Sequence, residues 1–412
     1  MTLIEFYDEN PIENLSGALT VPADKIIFLG HKKVMEKITW EISNFLKYRG
    51  FAGEIVYIHT IPHELDSVME VLEDILSQNK ACTFDVTGGD DLTLFAFGRV
   101  FERHSKNGTQ IHWLNVRTGR TNDLGATEQS SEDRPFLTVD ENIMLHGGVV
   151  VYEDIQPGTT YEWDLNEDFL QDVATMWEIC CGNAGQWNYQ TSLLAKIETI
   201  NAQEEDTLLL EVDSYDLYSH FDELGIQLNL TGIFPKLYKE GLLTDYYLDT
   251  NFFRVRYKDE QVKRCLTKAG AILELKTYIL AISLKDSSEH PLFSDGKPGV
   301  YIDWDGQVHE WWEDVDTTNE IDVILTKGMV PVFISCKNGT FSVEELYKLC
   351  TVADKFGAGY AKKCLVFSDE EKIIGSKEHL FARAEAMGVE LIGNVASLSD
   401  AEFAKRIRKL VC

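Results

Sequence analysis

From its first residues the chain alternates short apolar runs with longer stretches in which apolar positions recur every three or four residues. LIEFYD (Leu3 to Asp8), KIIFLG (Lys25 to Gly30), EIVYIHTI (Glu54 to Ile61), ACTFDVTGG (Ala81 to Gly89) and QIHWLNV (Gln110 to Val116) read as strands. IENLSGAL, the stretch from about Lys32 to Tyr48, ELDSVMEVLEDILSQ and LTLFAFGRVFERHS read as the helices between them. Strands without a polar face, each followed by a helix, predict a parallel sheet covered on both sides, because parallel neighbours need crossover connections. The expected architecture is α/β, with a Rossmann-like domain over residues 1–148.

Residues 149–260 follow a looser pattern, dense in Asp and Glu and mainly helical, with EVDSYDLYSHFDELG read as a break. LTGIFPKLYKEGLL, DYYLDTN and FFRVRYKDE close the region as a helix and a two-stranded ribbon, which is winged-helix-like. A connector that spaces two working domains and supports a dimer would give the same pattern. Over residues 261–412 the alternation returns. A helix AGAILELKTYILAISL precedes the strands VYIDWD, NEIDVILTKG and VPVFISCKNG, then the helix SVEELYKLCTVADKFG, the strand KCLVFS, the helix KEHLFARAEAMG and the strand VELIG. That order predicts a mixed α/β domain.

Composition refines this picture in two ways. The chain of 412 residues carries 38 Lys and Arg against 68 Asp and Glu, a net charge of −30. The excess is uneven, since the part from residue 261 onward holds 19 basic against 23 acidic residues and is nearly balanced. A basic coat for nucleic acid is therefore absent from the front of the chain, while Lys405, Arg406, Arg408 and Lys409 form a basic end that serves either a polyanion or a solvated helix face. No apolar run reaches the length of a membrane span, and no charged-then-apolar leader opens the sequence. The absence of such a run predicts no membrane partner, and eight cysteines without framework spacing fit a reducing, cytoplasmic location.

The fourth strand ends in Thr87-Gly88-Gly89-Asp90-Asp91 and runs into a helix. Paired glycines at that place let backbone amides approach a ligand. A dinucleotide fingerprint GxGxxG is missing, and two acids would repel a pyrophosphate, so a nicotinamide-dependent oxidoreductase is poorly supported. Asp90 and Asp91 are placed to accept hydrogen bonds from ribose hydroxyls or base amino groups, or Asp91 simply caps the helix. Asn10 after the first strand and His31-Lys32 after the second should reach the same edge of the sheet.

In the last domain a tight turn at Lys327-Gly328 should pair the strand of Asp322 with the strand of Lys337. Ser335 and Lys337 then share one strand face, with Cys336 on the other. Asp322, Lys337 and Glu274 from the preceding helix make a carboxylate and lysine set suited to metal-assisted phosphodiester cleavage. A structural ion pair would show the same spacing. Cys336 has no histidine to activate it and reads as core, and Cys350, Cys364 and His379 lack the spacing of a zinc site.

The opening IEFYDENPIENL, the TGGDD loop, FLTVDENIMLHGG, AGAILE and NEIDVILTKGMVPVFISCK together resemble the type III CRISPR ancillary nucleases. These join an N-terminal CARF sensor to a C-terminal PD-(D/E)XK restriction-endonuclease-like domain. The resemblance implies a homodimer whose sensors bind a cyclic oligoadenylate, cyclic tetra-adenylate first among them, and whose nuclease domains then cut DNA, with RNA as a further substrate. It places Asn10, His31, Thr87, Gly88, Gly89, Asp90 and Asp91 at the ligand and Glu274, Asp322, Ser335 and Lys337 at the cleavage site. Ser335 stands where the family motif has a carboxylate. A hydroxyl is a weaker ligand, so Mn²⁺ or Mg²⁺ would be held by Glu274, Asp322 and the carbonyl of Cys336. The alternative implied by that change is a ligand-sensing regulator that binds nucleic acid and has a silent nuclease domain.

Overall fold

The computed structural model describes residues 1–61, 64–79, 82–104, 108–124, 134–200, 206–307, 318–369 and 377–411. The expected strands form one sheet: β1 (Thr2–Phe6), β2 (Lys25–His31), β3 (Glu54–Thr60), β4 (Cys82–Asp85) and β5 (Gln110–Asn115), all parallel. A sixth, β6 (Arg120–Leu124), joins antiparallel and gives the order β3-β2-β1-β4-β5-β6. β6 is polar RTNDL at a sheet edge, so it carried no apolar signal. Between the strands run α1 (Ser16–Thr20), α2 (Lys32–Tyr48), α3 (Leu65–Gln78) and α4 (Asp91–His104). Helix α1 covers only the end of the expected IENLSGAL helix. Ahead of it the side chains of Asn10 and Asn14 accept from the amides of Ile12 and Asp8, which holds the chain in turns.

The sheet is buried on both faces. Leu3, Ile26 and Phe28 pack with Phe45 and Leu46 of α2, whereas Ile4, Phe6, Ile27 and Leu29 pack with Val68 and Leu72 of α3 and with Ala96 and Val100 of α4. Neighbouring residues on one strand thus serve opposite cores, which is why these strands read as unbroken apolar runs.

Helix α5 (Val139–Leu145) leads out of this domain to β7 (Val149–Val151). Although β7 begins the segment 149–260, it pairs antiparallel with the strand β11 (Asp295–Asp303) and closes the last sheet. Three valines are too short a run to reveal such a partner. The rest of the middle region is α6 (Glu167–Gly182), α7 (Ala184–Glu198), β8 (Leu209–Asp213), α8 (Ser214–Glu223), α9 (Phe234–Lys239), β9 (Leu243–Leu248), β10 (Phe252–Tyr257) and α10 (Glu260–Thr267). With its antiparallel sheet β8-β10-β9, the order α7-β8-α8-α9-β9-β10 is that of a winged helix. EVDSYDLYSHFDELG is not a break but β8 and α8. Leu210 and Val212 alternate into the core, and Leu217 and Phe221 sit one helical turn apart beneath the acids.

The last domain adds α11 (Ala271–Ile282), β12 (Thr318–Lys327), β13 (Val330–Lys337), α12 (Val343–Gly357), β14 (Lys362–Phe367), α13 (Lys377–Ala386), β15 (Val389–Ile392) and α14 (Asp400–Arg408). Its mixed sheet has the order β15-β14-β13-β12-β11-β7. β11 starts earlier than expected and takes in Pro298, which pairs with Val323 of β12 and lies outside the stretch that β7 pairs, so among the described strands β11 has no neighbour on its other side there. Val323, Leu325, Val332 and Ile334 face Leu273 of α11 and Phe403 of α14, while Ile324, Phe333 and Leu365 face Leu346 and Leu349 of α12. The first of these cores runs on into the winged-helix region, tying it to α11. Among the described residues no helix is long and apolar enough to cross a membrane.

Candidate functional site

At the carboxyl ends of β1, β2 and β4 the structure gathers Asn10, His31 and the loop Thr87–Asp91. This is the crevice where the strand order turns back, the usual ligand position of an open α/β sheet. The loop is pinned against the turn that follows β1. Asp8 accepts from the amides of Asn10 (2.9 Å) and Gly89 (3.3 Å). A Cβ on Gly88 would lie 3.0 Å from Cβ of Asp8, and one on Gly89, whose φ is +110°, would lie 2.8 Å from Cβ of Phe6. Both glycines are therefore demanded by close packing of the two loops.

The polar side chains of this loop are largely committed to holding it. The Thr87 hydroxyl donates to Asp85 (2.6 Å) and accepts from the amide of Leu114 (2.8 Å). Asp85 also accepts from Ser16, and beneath it Glu5 is buried, its carboxyl raised well above the ordinary range by burial and then by the charge of Asp85. The helix cap is Asp90 rather than Asp91. Asp90 accepts from the amides of Leu92 and Thr93, each at 3.0 Å, and from the Thr93 hydroxyl at 2.7 Å. Burial works to raise the Asp90 carboxyl, but the Thr93 hydrogen bonds and the nearby His31 outweigh it and hold it low. His31 lies 3.7 Å from Asp90 and 3.2 Å from the Thr60 hydroxyl, and Asp91 is exposed on the first turn of α4. Asn10 turns its side chain back to the amide of Ile12.

One side chain of this loop cluster touches the last domain. The Tyr360 hydroxyl donates to Glu13 at 2.5 Å, and the Arg117 guanidinium lies 5.1 Å from the Tyr360 ring centre. Tyr360 follows directly on α12.

In the last domain the hairpin β12–β13 forms as expected, paired from Lys327 with Val330 to Val323 with Ile334. Continuing that register by one residue sets Asp322 across from Ser335. One oxygen of Asp322 then accepts from the Ser335 hydroxyl (3.1 Å), the Cys336 amide (2.5 Å) and the Lys337 ammonium (3.2 Å). Lys337 also meets Glu345 of α12 at 3.3 Å. Desolvation pulls the Lys337 ammonium down, yet the charges of Asp322 and Glu345 more than offset it, so its pKa is raised and the group is protonated near neutrality. The Cys336 thiol is buried against Thr277 and pushed well up, first by burial and then by Asp322, which leaves it inert as expected.

Glu274 of α11 completes the set, with a difference from expectation. Carboxylate oxygens of Glu274, Glu320 and Asp322 lie within 4.8 Å of one another, so Glu320 joins the two carboxylates expected from the sequence. Glu320 and Asp322 are two apart on β12, a spacing that puts both on one strand face and could have singled out Glu320 within NEIDV. Glu345 and Lys268 carried no such signal. Lys268 bonds Glu320 and lies 3.5 Å from Glu274, and the Tyr301 hydroxyl donates to Glu320 at 3.0 Å. Burial pushes the Glu274 carboxyl up to about 8; Lys268 works against this, while Asp322 and Glu320 add to it. Three hard oxygen donors under mutual repulsion fit Mg²⁺ or Mn²⁺, which would relieve that repulsion.

No protein-family model matches the chain, and no curated protein matches it. Among solved structures it aligns over 100% of its length with protein VC1899 from Vibrio cholerae, covering 97% of that chain at 18% identity and a TM-score of 0.70. It also aligns over 100% of its length with Can2 from Sulfobacillus thermosulfidooxidans, solved in complex with cyclic tetra-adenylate, covering 99% of that chain at 15% identity and a TM-score of 0.65. The likeness establishes a shared fold from one end of the chain to the other.

The state of Glu274 makes stability depend on pH when divalent cations are removed. Its ordinary value is 4.5, so between about 4.5 and about 8 the folded chain holds a proton that the unfolded chain releases. The unfolding free energy should therefore fall as pH rises through that window, and Glu274→Gln should flatten the fall. Urea unfolding in chelator at a series of pH values measures both slopes; equal slopes would contradict the assignment.

Proposed function

We propose that the chain is a metal-dependent nuclease of type III CRISPR defence, switched on by a cyclic oligoadenylate bound at the first domain. The convergence of Glu274, Glu320, Asp322 and Lys337 on the β12–β13 hairpin carries this reading. The full-length likeness to Can2, whose solved structure holds cyclic tetra-adenylate, supports the choice of activator. Two copies would pair through their first domains, and the two-fold ligand would rest on both TGGDD loops, near Asn10 and His31. Its hydroxyls and base amino groups would find acceptors in Asp90 and Asp91.

Glu274, Glu320 and Asp322 would hold Mg²⁺ or Mn²⁺, which when bound polarises the phosphoryl oxygen and supplies a water of lowered pKa. The chain itself orients and neutralises. Lys337, kept protonated between Asp322 and Glu345, offsets charge on the phosphorane-like transition state and positions the attacking water; a raised pKa makes it an electrostatic group rather than a base. Ser335 steadies Asp322, and Glu320 provides the carboxylate that the Ser335 position lacks. DNA is the expected target, with RNA as a second.

Activation requires the ligand to prefer the active arrangement. About hundredfold activation needs roughly 3 kcal/mol of differential binding. The contact from Glu13 to Tyr360 offers a direct mechanical link, since it joins the ligand loops to the end of the helix that bears Glu345.

A regulator that binds nucleic acid without cutting is the second reading, favoured by the winged-helix order of the middle region and by Lys236, Tyr238 and Lys239 on α9. The test is cleavage of plasmid, single-stranded DNA and RNA with Mn²⁺ or Mg²⁺, with and without cyclic tetra-adenylate. The natural chain should cut only with the ligand, and Lys337→Ala should lower the rate by at least a hundredfold while ligand affinity stays within about twofold. Sequence-selective binding without any cutting would favour the regulator. In the same assay Tyr360→Phe should bind the ligand normally yet lose most of the activation. Full activation in that variant would exclude the Glu13 link.

A further inference from the structure

Beside the carboxylates lies a cavity of about 210 Å³ whose wall includes Tyr161, Trp163, Arg264, Lys268, Glu274 and Tyr301. It sits between the chain leading into α6, the helices α10 and α11, and β11. Glu274 belongs to this wall and to the acidic group alike, and Lys268 and Tyr301 each bond Glu320. The cavity and the acidic group therefore share a wall.

The wall has the chemistry of a base site. Tyr161 and Trp163 meet edge to face with ring centres 4.9 Å apart, and Phe169 stacks on Trp163 at 5.6 Å. The Arg264 guanidinium lies 4.1 Å from the Tyr161 ring centre and is itself held by Glu153 at 2.7 Å. The aromatic surfaces are thus fixed before any ligand arrives, which lowers the entropy lost on stacking. Flat rings interleaved with cations are how proteins grip single-stranded nucleic acid.

We propose that this cavity takes one unstacked nucleobase of a single-stranded substrate, next to the phosphodiester offered to Glu274, Glu320 and Asp322. The inference rests on the nuclease reading and deepens it. A base inside a duplex must leave its stack to enter, so single strands and strands with a displaced base are the preferred substrates.

Short DNA strands with 2-aminopurine at a single position test this by binding alone, with Ca²⁺ replacing the catalytic cation and cyclic tetra-adenylate present. Fluorescence should be quenched at one position along the strand. Tyr161→Ala should lose that quenching and bind about tenfold more weakly, as expected for one stacked base, whereas Tyr161→Phe should retain both. An abasic nucleotide at the same position should weaken the natural chain by a similar factor and leave Tyr161→Ala unaffected, because both changes remove one contact. Uniform fluorescence along the strand, or losses that multiply, would overturn the proposal. The abasic scan of the natural chain decides the matter even where a variant fails to fold. Position-dependent quenching in a chain that cuts nothing with Mn²⁺ would count against the nuclease reading and uphold the base site. Cutting without position-dependent quenching would do the reverse.

Discussion

The carboxylate of Asp322 is the joint on which the last domain turns. It accepts from the Ser335 hydroxyl, the Cys336 amide and the Lys337 ammonium at once, and so ties the open end of β12 to the open end of β13. A half-buried carboxylate needs such partners, since leaving one unsatisfied costs several kilocalories. That same carboxylate stands within reach of Glu274 and Glu320, and three acids so close repel one another. Lys268 offsets part of the repulsion from one side and Lys337 from the other. What remains is a concentration of carboxylate oxygens, held in place by the packing of α11 against the hairpin.

The two ends of the chain are connected by short contacts rather than by a loose linker. α5 packs its Val139 and Ile143 into the core beneath α12, and β7 extends the last sheet. Arg49 of α2 pairs with buried Glu141 of α5 at 2.5 Å, so the first sheet is braced to the same element. The crevice at β1 and β4 is closely packed, with two glycines and Asp8 holding its loops together, while Glu13 reaches outward to Tyr360. On the function proposed above, a ligand that shifts the loop after β1 would act through that contact. This is the physical sense in which binding at one end can bias geometry at the other.

Much of this was legible in the sequence. The five parallel strands stood out because residues such as Leu3 and Ile4 serve opposite cores, and the β12–β13 hairpin was marked by its Lys327-Gly328 turn. The convergence of Glu274, Asp322 and Lys337 followed from the hairpin and the preceding helix. Two of the edge strands were invisible, as β6 is polar and β7 is three valines. β8 and α8 were hidden by the acids that cover Leu210, Val212, Leu217 and Phe221. Glu320 shares a strand face with Asp322, but only the fold brings Glu274 to both. Glu345 and Tyr360 act across elements far apart in sequence, and only the fold brings them to their partners. Asp90 rather than Asp91 caps α4, a shift of one residue that sequence propensity alone does not resolve.

The central claim is that Asp322 organises a divalent-cation site with Glu274 and Glu320. Titration of Mn²⁺ into the purified chain, followed by electron paramagnetic resonance of the free ion, tests it without any substrate. The natural chain should bind Mn²⁺ with affinity rising from pH 6 toward pH 8 as Glu274 gives up its proton. Glu320→Gln should weaken binding at least tenfold, and Asp322→Asn should abolish it. Mn²⁺ affinity that is unchanged in Asp322→Asn would contradict the account.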